Sequence, residues 1–302
     1  MSNTQSPMGG MKLGRALFKS ALTALSQDKK IIWAPVLGGL ATMAIGIAFG
    51  VVAFFAILFT PSDYSEVIAV AFAIVFGIFA AFVHVFTQAT VMSAANQRYD
   101  GFAPTIGSGL SQANTRFGNL SKFALLEATV GFVLRLVREN LQAIGNFISF
   151  AGGLAWAVSS YFAMPVILFE GLGPIASIKR SVAIIKEKWG SALRLNLAAG
   201  VAFLLVWLAA FGVLFASIAG LTSANTGNAT LDQAVLFSSL SGIAGSLVLL
   251  IAIAFVQQTV MSYACVALYR YAVGKPVPGF DPALMERAFR LKKQKFTGLA
   301  GA

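Results

Sequence analysis

The sequence predicts an all-α integral membrane protein, with six transmembrane helices arranged as three hairpin repeats and amphipathic cytoplasmic helices interleaved between them. Three observations carry that expectation. Hydrophobic residues make up 58% of the 302 residues and charged residues only 11%, against about 25% charged in soluble domains. Six apolar stretches approach or exceed the about 20 residues that a helix needs to cross the hydrocarbon layer. Almost all Lys and Arg fall in the segments on one side of those stretches. So few charges could not cover a water-soluble domain of this size. The 26 Phe exclude disorder, and Cys265, the only cysteine, excludes an intrachain disulfide scaffold.

In order, the expected spans are Ile31 to Thr60, Val67 to Ala95, the shorter Leu120 to Val137, Leu141 to Phe169, Leu195 to Leu221, and one within Ala234 to Val273. The last apolar run is too long for the bilayer alone, so one end continues as helix into the cytoplasm or the helix is tilted. The segment before span one is mostly polar and that span is far longer than a signal h-region, so no cleavable leader is expected. The chain divides into a cytoplasmic N-terminal segment (1–30), a six-span membrane domain (31–273) and a basic cytoplasmic C-terminal segment (274–302).

Orientation follows from Lys and Arg in short loops. Basic residues precede span one (Lys12, Arg15, Lys19, Lys29, Lys30) and link spans two and three (Arg98, Arg116, Lys122). They link spans four and five (Lys179, Arg180, Lys186, Lys188, Arg194) and follow span six, from Arg270 to Lys295. Of the 22 Lys and Arg, only Arg135 and Arg138 fall on the other face. Both termini are therefore expected in the cytoplasm. Topology accounts for the net charge of +11, and nucleic acid is not expected as a partner.

Spans two and six end alike. Gln88-Ala-Thr-Val-Met-Ser-Ala-Ala95 matches Gln257-Gln-Thr-Val-Met-Ser-Tyr-Ala264 at six of eight positions. Both run on to an Arg-Tyr pair (Arg98-Tyr99, Arg270-Tyr271) and then a glycine (Gly101, Gly274). A second echo pairs Asp100-Gly101-Phe-Ala-Pro104 with Glu170-Gly171-Leu-Gly-Pro174. Each proline is expected to open a helix, since its missing N–H is not needed in the first turn.

The segments that follow have helical period. Ile106, Leu110, Ala113 and Phe117 form one apolar stripe, and Ile175, Ile178, Val182, Ile185 and Trp189 another. Near the N-terminus, Phe18, Leu22 and Leu25 face away from Lys12, Arg15 and Lys19. After span six, Asp281-Pro282 caps a helix in which Leu284, Ala288 and Leu291 oppose Arg287, Arg290 and Lys293. Such helices either lie in the interface, basic face toward anionic headgroups, or pack under the bundle as connectors whose charges serve topology. In the first reading Arg15, Lys19, Arg180, Arg287, Arg290 and Lys293 contact headgroups, and membrane lipids, preferentially anionic, are the partners. A second copy or another membrane protein is the other partner expected.

The run Ala155-Trp-Ala-Val-Ser-Ser-Tyr-Phe-Ala-Met-Pro165, its continuation to Pro174, the stretch Ile175-Ala-Ser-Ile-Lys-Arg-Ser181 and Lys188-Trp189-Gly190 carry a resemblance. The sequence resembles uncharacterised prokaryotic six-span proteins grouped as a domain of unknown function. Those are distantly similar to the membrane domain attached to some glycerophosphodiester phosphodiesterases. The likeness runs from about Arg15 to Pro276 and its motifs are structural: Pro, Gly, Trp and a helix-opening Glu-Gly-x-Gly-Pro. It implies a multi-pass bundle in a prokaryotic cytoplasmic (inner) membrane and no established activity. This chain carries no soluble phosphodiesterase domain.

Six polar residues inside the spans are the candidates for function: His84, Gln88, Glu127, Arg135, Gln257 and Gln258. A carboxylate in a span costs about 2.5–3.5 kcal/mol on insertion scales, so Glu127 is expected to face the bundle interior. It is either a packing residue, neutral or hydrogen-bonded, or a proton or cation site. Arg135 is eight residues on, about 12 Å along a helix, too far to touch Glu127, and is expected to snorkel to the outer interface. His84, the only histidine, either bonds a neighbouring helix or relays protons with Glu127. The glutamines, with Thr90, Ser93, Thr259 and Ser262, either hydrogen-bond between helices across a pseudo-symmetry axis or line a polar cavity. Gly46-Ile-Ala-Phe-Gly50 permits close helix approach. Pro165 is expected to interrupt span four and, with Gly171, Gly173 and Pro174, to form a terminus or a hinge.

No catalytic motif is present: no GxSxG, HExxH, GxxxxGK[ST] or GxGxxG. One His and one Cys without a nearby carboxylate make no metal set. No enzyme, cofactor or metal is expected. The expected function is a non-enzymatic scaffold, lipid-interacting or envelope-organising membrane protein. The alternative is a small transporter or channel using Glu127, His84 and the glutamine-bearing spans. Cysteine-accessibility labelling tests the topology: cysteines at 63 and 232 should label from outside, and those at 30, 188 and 293 only from the cytoplasm. Labelling at 232 from the cytoplasm alone would refute six spans.

Overall fold

In the computed structural model residues 19–188, 192–222 and 229–280 are described, and every regular element among them is helical. Helix α1 covers residues 19–26. A 3-10 turn, Lys29–Ile32, leads into α2, Trp33–Leu58. Then come α3, Ser65–Tyr99, α4, Ile106–Asn114, and α5, Phe117–Asn140. Next are α6, Gln142–Ser160, α7, Ala163–Glu170, and α8, Pro174–Lys188. The chain continues through α9, Ala192–Thr222, and α10, Ala229–Ala272.

Among the described residues five segments are long and apolar enough to cross a membrane: Lys29–Leu58, Ser62–Tyr99, Ile144–Glu170, Phe203–Thr222 and Thr230–Ala272. They match the expected spans one, two, four, five and six. The expected third span is α5, which carries Lys122, Glu127, Arg135, Arg138 and Glu139 and is not among the five. Two helices overrun the bilayer. At about 1.5 Å per residue, the 35 residues of α3 and 44 of α10 reach roughly 52 and 66 Å.

Helices α2–α3, α5–α6 and α9–α10 pack as neighbouring pairs. The core, however, lies at one end, here called the base. It is built from the last turns of α3 (Val85, Ala89, Val91, Ala94, Ala95), the start of α5 (Leu120, Phe123, Ala124), α7, and the last turns of α10 from Val260 to Tyr269. Toward the other end, the rim, the most apolar stretches of α2 and α3 contain no buried residue. Phe54, Phe55 and Phe59, with Val67 and Val70 facing them in sequence, are all exposed. A smaller cluster, Phe203, Ala210, Leu250 and Ile253, holds α9 to α10.

Ion pairs lock the base. Arg98 reaches back to Asp28 through two nitrogens, and the Tyr263 hydroxyl also donates to Asp28 at 3.4 Å. Arg270, 3% exposed, pairs with Asp100 at 2.7 Å, donates to Asn96 Oδ1 at 2.7 Å and to the Pro276 carbonyl at 3.0 Å. Glu170 accepts from Tyr269 at 2.8 Å and pairs with Arg180 at 3.3 Å. The Arg-Tyr echo thus has a structural basis, for Arg98 and Arg270 each close the end of a long helix onto an acid. The Tyr99 hydroxyl bridges the two helices by donating to the Tyr263 carbonyl at 3.1 Å.

The connectors depart from their expected stripes. Helix α4 seats Gly109 and Ala113, with Ile106 partly buried against the core and Leu110 exposed, and Phe117 opens α5 half exposed. The reason is proximity: a Cβ at Gly109 would sit 2.6 Å from the Thr90 carbonyl oxygen, so only glycine allows α4 this close to α3. Helix α8 buries Ser177, Ser181 and Ile184, while Ile178 and Ile185 are partly buried and Ile175 is exposed. In α1, Ala21 and Leu25 are buried and Leu22 is not. Pro174 opens α8 as expected. Pro104 instead precedes an N-cap, where Thr105 and Ser108 form a capping box that sequence reasoning missed. Phe18, Trp189 and the helix expected after Asp281 lie outside the described residues.

Close approach in α2 occurs at Gly46, where a Cβ would sit 3.2 Å from the Phe76 ring of α3, but not at Gly50. Gly50 has no neighbour within 4 Å, whereas Cβ atoms at Gly38 and Gly39 would collide with Thr87 and Phe255. Small residues are needed where helices converge: near the base at Gly38 and Gly39, and away from it between α9 and α10, where Cβ atoms at Gly220 and Gly242 would collide with Ser239 and Ser217.

Gly109→Ala should lower thermal stability in detergent by about 1–3 kcal/mol through overpacking against backbone. Gly118→Ala, where nothing lies within 4 Å, should be neutral or slightly stabilising through helix propensity. Equal effects would refute the α3–α4 contact. Asp28→Ala should cost about 3 kcal/mol, near the low end for breaking a buried pair because Arg98 keeps some solvent. Arg135→Ala, which removes the exposed i,i+4 pair with Glu139, should change stability by less than about 0.5 kcal/mol.

Candidate functional site

Where the base core meets the unburied spans, a cavity of about 260 Å³ opens between α3, α5, α6, α7 and α10. Helix α3 contributes His84, Gln88 and Met92, each one turn apart. Helix α5 contributes Phe123 and Glu127, also one turn apart, and α10 contributes Gln258, Met261, Ser262 and Cys265 along one face. Ala157 and Ser160 of α6, Tyr161 and Met164 close the fourth side.

The fourth side exists because the helix breaks there. The expected interruption near Pro165 is found at Tyr161–Phe162, between α6 and α7. Pro165 has no N–H to give the carbonyl of Tyr161, four residues before it. That carbonyl accepts instead from Cys265 Sγ at 3.4 Å, and the Phe162 N–H donates to Ser181 Oγ at 3.0 Å. Chain ends freed by the proline are thus held by α10 and by the small serine face of α8.

Glu127 is the sole carboxylate of the cavity lining. Its Oε2 is buried and has no hydrogen-bond partner among the described residues. His84 of α3 lines the same cavity. A buried, unmatched carboxylate oxygen is costly unless a proton or a cation meets it. Around it stand the amides of Gln88 and Gln258, the Ser160 and Ser262 hydroxyls and three methionine thioethers. That lining suits a small positively charged group: one full negative charge, neutral oxygens to complete its hydrogen bonds, and soft walls.

The structure brings four of the six intramembrane candidates together: His84, Gln88, Glu127 and Gln258. Two lie elsewhere. Gln257 accepts from Trp207 Nε1 at 2.8 Å and ties α10 to α9. Arg135 is exposed near the rim and bonds Glu139 at 2.7 Å. Of the four hydroxyls expected to bond between helices, three turn inward on their own, Thr90 to Phe86, Thr259 to Phe255 and Ser262 to Gln258, and the buried Ser93 Oγ has no partner among the described residues. A Ser or Thr in a helix can satisfy itself on the i−4 carbonyl without any partner helix. Among the proposed headgroup contacts, Lys19 is exposed and Arg180 is taken up by Glu170. Arg15, Arg287, Arg290 and Lys293 lie outside the described residues.

Sequence reasoning missed Met92, Met164, Met261 and Cys265 as lining residues. Met92 could have been found, since it follows Gln88 by one turn within the repeated string. Among the described residues no three His, Cys, Asp or Glu side chains stand close enough together to hold a metal ion.

The sequence model of a family of unknown function, DUF6159, matches residues 67–279, from α3 to just past α10. The chain belongs to that family. No curated protein matches the chain. Every residue lining the cavity falls inside the DUF6159 match, whereas α1 and α2 precede it. The cavity is therefore built wholly from the part of the chain that the family shares.

Proposed function

We propose that this DUF6159 protein is a non-enzymatic membrane carrier or channel whose cavity takes up a proton or a cation at Glu127. The single observation behind this reading is the Glu127 Oε2, buried without a partner in a cavity that also gathers His84, Gln88 and Gln258. In this reading α5 is a sixth span. Its 24 residues reach about 36 Å, enough for the roughly 30 Å hydrocarbon layer. Its charges fall either in the cavity or near an end. Six spans in three hairpins then place both termini, the base and nearly all Lys and Arg on the cytoplasmic side of a prokaryotic inner membrane.

A second reading, the lipid-contacting scaffold, draws support from exposed lysines at the base, among them Lys19, Lys29, Lys30, Lys122 and Lys179. Each is worth roughly 1 kcal/mol near an anionic leaflet. The faces of α4 and α8 that are buried against the protein favour connectors over surface sensors.

The test is reconstitution. Liposomes containing the full-length protein should show Glu127-dependent movement of protons or small ammonium cations. Glu127→Gln should abolish that flux while leaving the protein monodisperse and its melting temperature within a few degrees, because a neutral amide costs less to bury. Flux that survives the substitution would refute the Glu127 site.

A further inference from the structure

The cavity has a buried end and an exposed end. Toward the base, its lining residues Met92, Met164 and Cys265 are each 3% exposed. Toward the rim, His84 and Ala157 are exposed. His84 also lines a second space, a groove of about 720 Å³ between α2 and α3. Met43, Gly46 and Ile47 of α2 wall this groove on one side, and Phe76 and Ala80 of α3 on the other. Phe76, Ala80 and His84 of the groove continue into His84, Gln88 and Met92 of the cavity at a constant spacing of one turn, so all five form one row on α3. Groove and cavity are consecutive stretches of that row, and His84 is their joint.

The groove has one open side and one closed end. Met43 and Ile47 are exposed, so it faces the surroundings of the bundle. Past His84 toward the base it is shut, because α2 meets Thr87 and Phe255 so closely that Cβ atoms at Gly38 and Gly39 would collide with them. Its wall is suited to a hydrocarbon chain. Besides His84, the polar side chain there is Thr42, whose hydroxyl is spent on the Gly38 carbonyl at 2.9 Å.

Depth fixes which way a chain would lie. From Ser65 at the rim, His84 is about 28 Å down α3. With the rim at one membrane interface, that is close to the far edge of the roughly 30 Å hydrocarbon layer. From there the groove runs back toward the rim as far as Phe76, about 12 Å along the helix. An amphiphile of the base-side leaflet has the same disposition, its head at that edge and its chain pointing toward the midplane. The head end of the groove opens, past His84, onto a cavity whose one carboxylate has an unmatched buried oxygen.

We propose that the cavity is loaded sideways from the membrane, and that its ligand is a single-chain amphiphilic cation, a long-chain amine. Its ammonium head passes His84 to sit between Glu127, Gln88 and Gln258, and its chain lies in the α2–α3 groove. This rests on the cation-site reading of Glu127 and adds the route and the class of molecule. Charge selects the head, whose three donors match one carboxylate and two amide oxygens. One groove takes one chain.

Photo-crosslinking of the full-length protein in a neutral detergent tests the placement. The probe is dodecylamine carrying a diazirine near the end of its chain, and the labelled positions are mapped by peptide mass spectrometry. Labelling should concentrate on residues 42–47 of α2 and 76–80 of α3. Excess dodecylamine should suppress it severalfold, and excess dodecanol should not. Glu127→Gln should reduce it to the level of the same probe built on dodecanol. Ala80→Leu, which fills the groove one turn from His84, should remove the labelling of 42–47. Binding of butylamine, followed by native mass spectrometry, should be lost in Glu127→Gln and kept in Ala80→Leu. Labelling spread evenly over the lipid-facing helices, or competed equally by dodecanol, would overturn the amphiphile while Glu127-dependent butylamine binding upholds the cation site. Amine binding indifferent to Glu127→Gln would overturn both. Melting temperatures of the two variants close to that of the parent exclude misfolding as the cause of any loss, and the map on the unsubstituted protein needs neither variant.

Discussion

Apolar side chains in a bilayer gain nothing by leaving the lipid for one another, because the tails are as apolar as leucine. What holds this bundle is therefore concentrated where the helices leave the hydrocarbon. At the base, Asp28 with Arg98, Asp100 with Arg270, and Glu170 with Arg180 and Tyr269 tie the ends of α3, α7 and α10 to each other and to the segment before α2. The buried cluster around Tyr99, Phe162, Tyr263 and Leu268 fills the space between them. Charge pairs this enclosed contribute as much to register as to stability, since each arginine has a fixed set of acceptors that a one-residue slip would break.

The rest of the architecture follows from that constraint. Helices pinned at one end and surrounded by lipid beyond it need not close over their full length, and the rim halves of α2 and α3 stay unburied. The cavity forms at the transition, where packing loosens but side chains still converge from several helices. Polar residues are tolerated there because they share one enclosed space, and the break at Tyr161–Phe162 widens it. Pro165 removes one helical bond, and Cys265 and Ser181 take over the groups left behind.

Glu127 shows where sequence reading stops. Its cost in a span can be deduced from hydropathy alone, as can its aim toward the interior. Whether it packs against a donor or opens onto a cavity cannot, because that turns on which residue of α3 and of α10 lies opposite. The glutamine strings make the same point. They are nearly identical in sequence, yet Gln88 and Gln258 face the cavity while Gln257 is spent on Trp207. Consecutive residues of a helix point about 100° apart, so the rotation of α10 about its own axis decides it. The connector stripes held in part: Ala113 is buried and Ile106, Ile178 and Ile185 pack against the core, but Leu110 and Ile175 are exposed, and the buried Gly109, Ser177 and Ser181 lay outside the stripes. Close helix approach selects small side chains, and bulky ones on the lipid side need no burial.

The sequence by itself determined the membrane class, the helical elements to within a few residues and the list of polar residues that had to be explained. These depend on hydropathy, period and local chemistry, all of which are written in neighbouring residues. Only the tertiary structure decided which of those polar residues meet, that the core sits at one end, and that a break in one helix opens a space beside Glu127. Those outcomes depend on the rotation and crossing of helices far apart in the chain. In lipid, no solvent-driven burial dictates that rotation, so it is set by a few ion pairs and small-residue contacts whose partners no local pattern reveals.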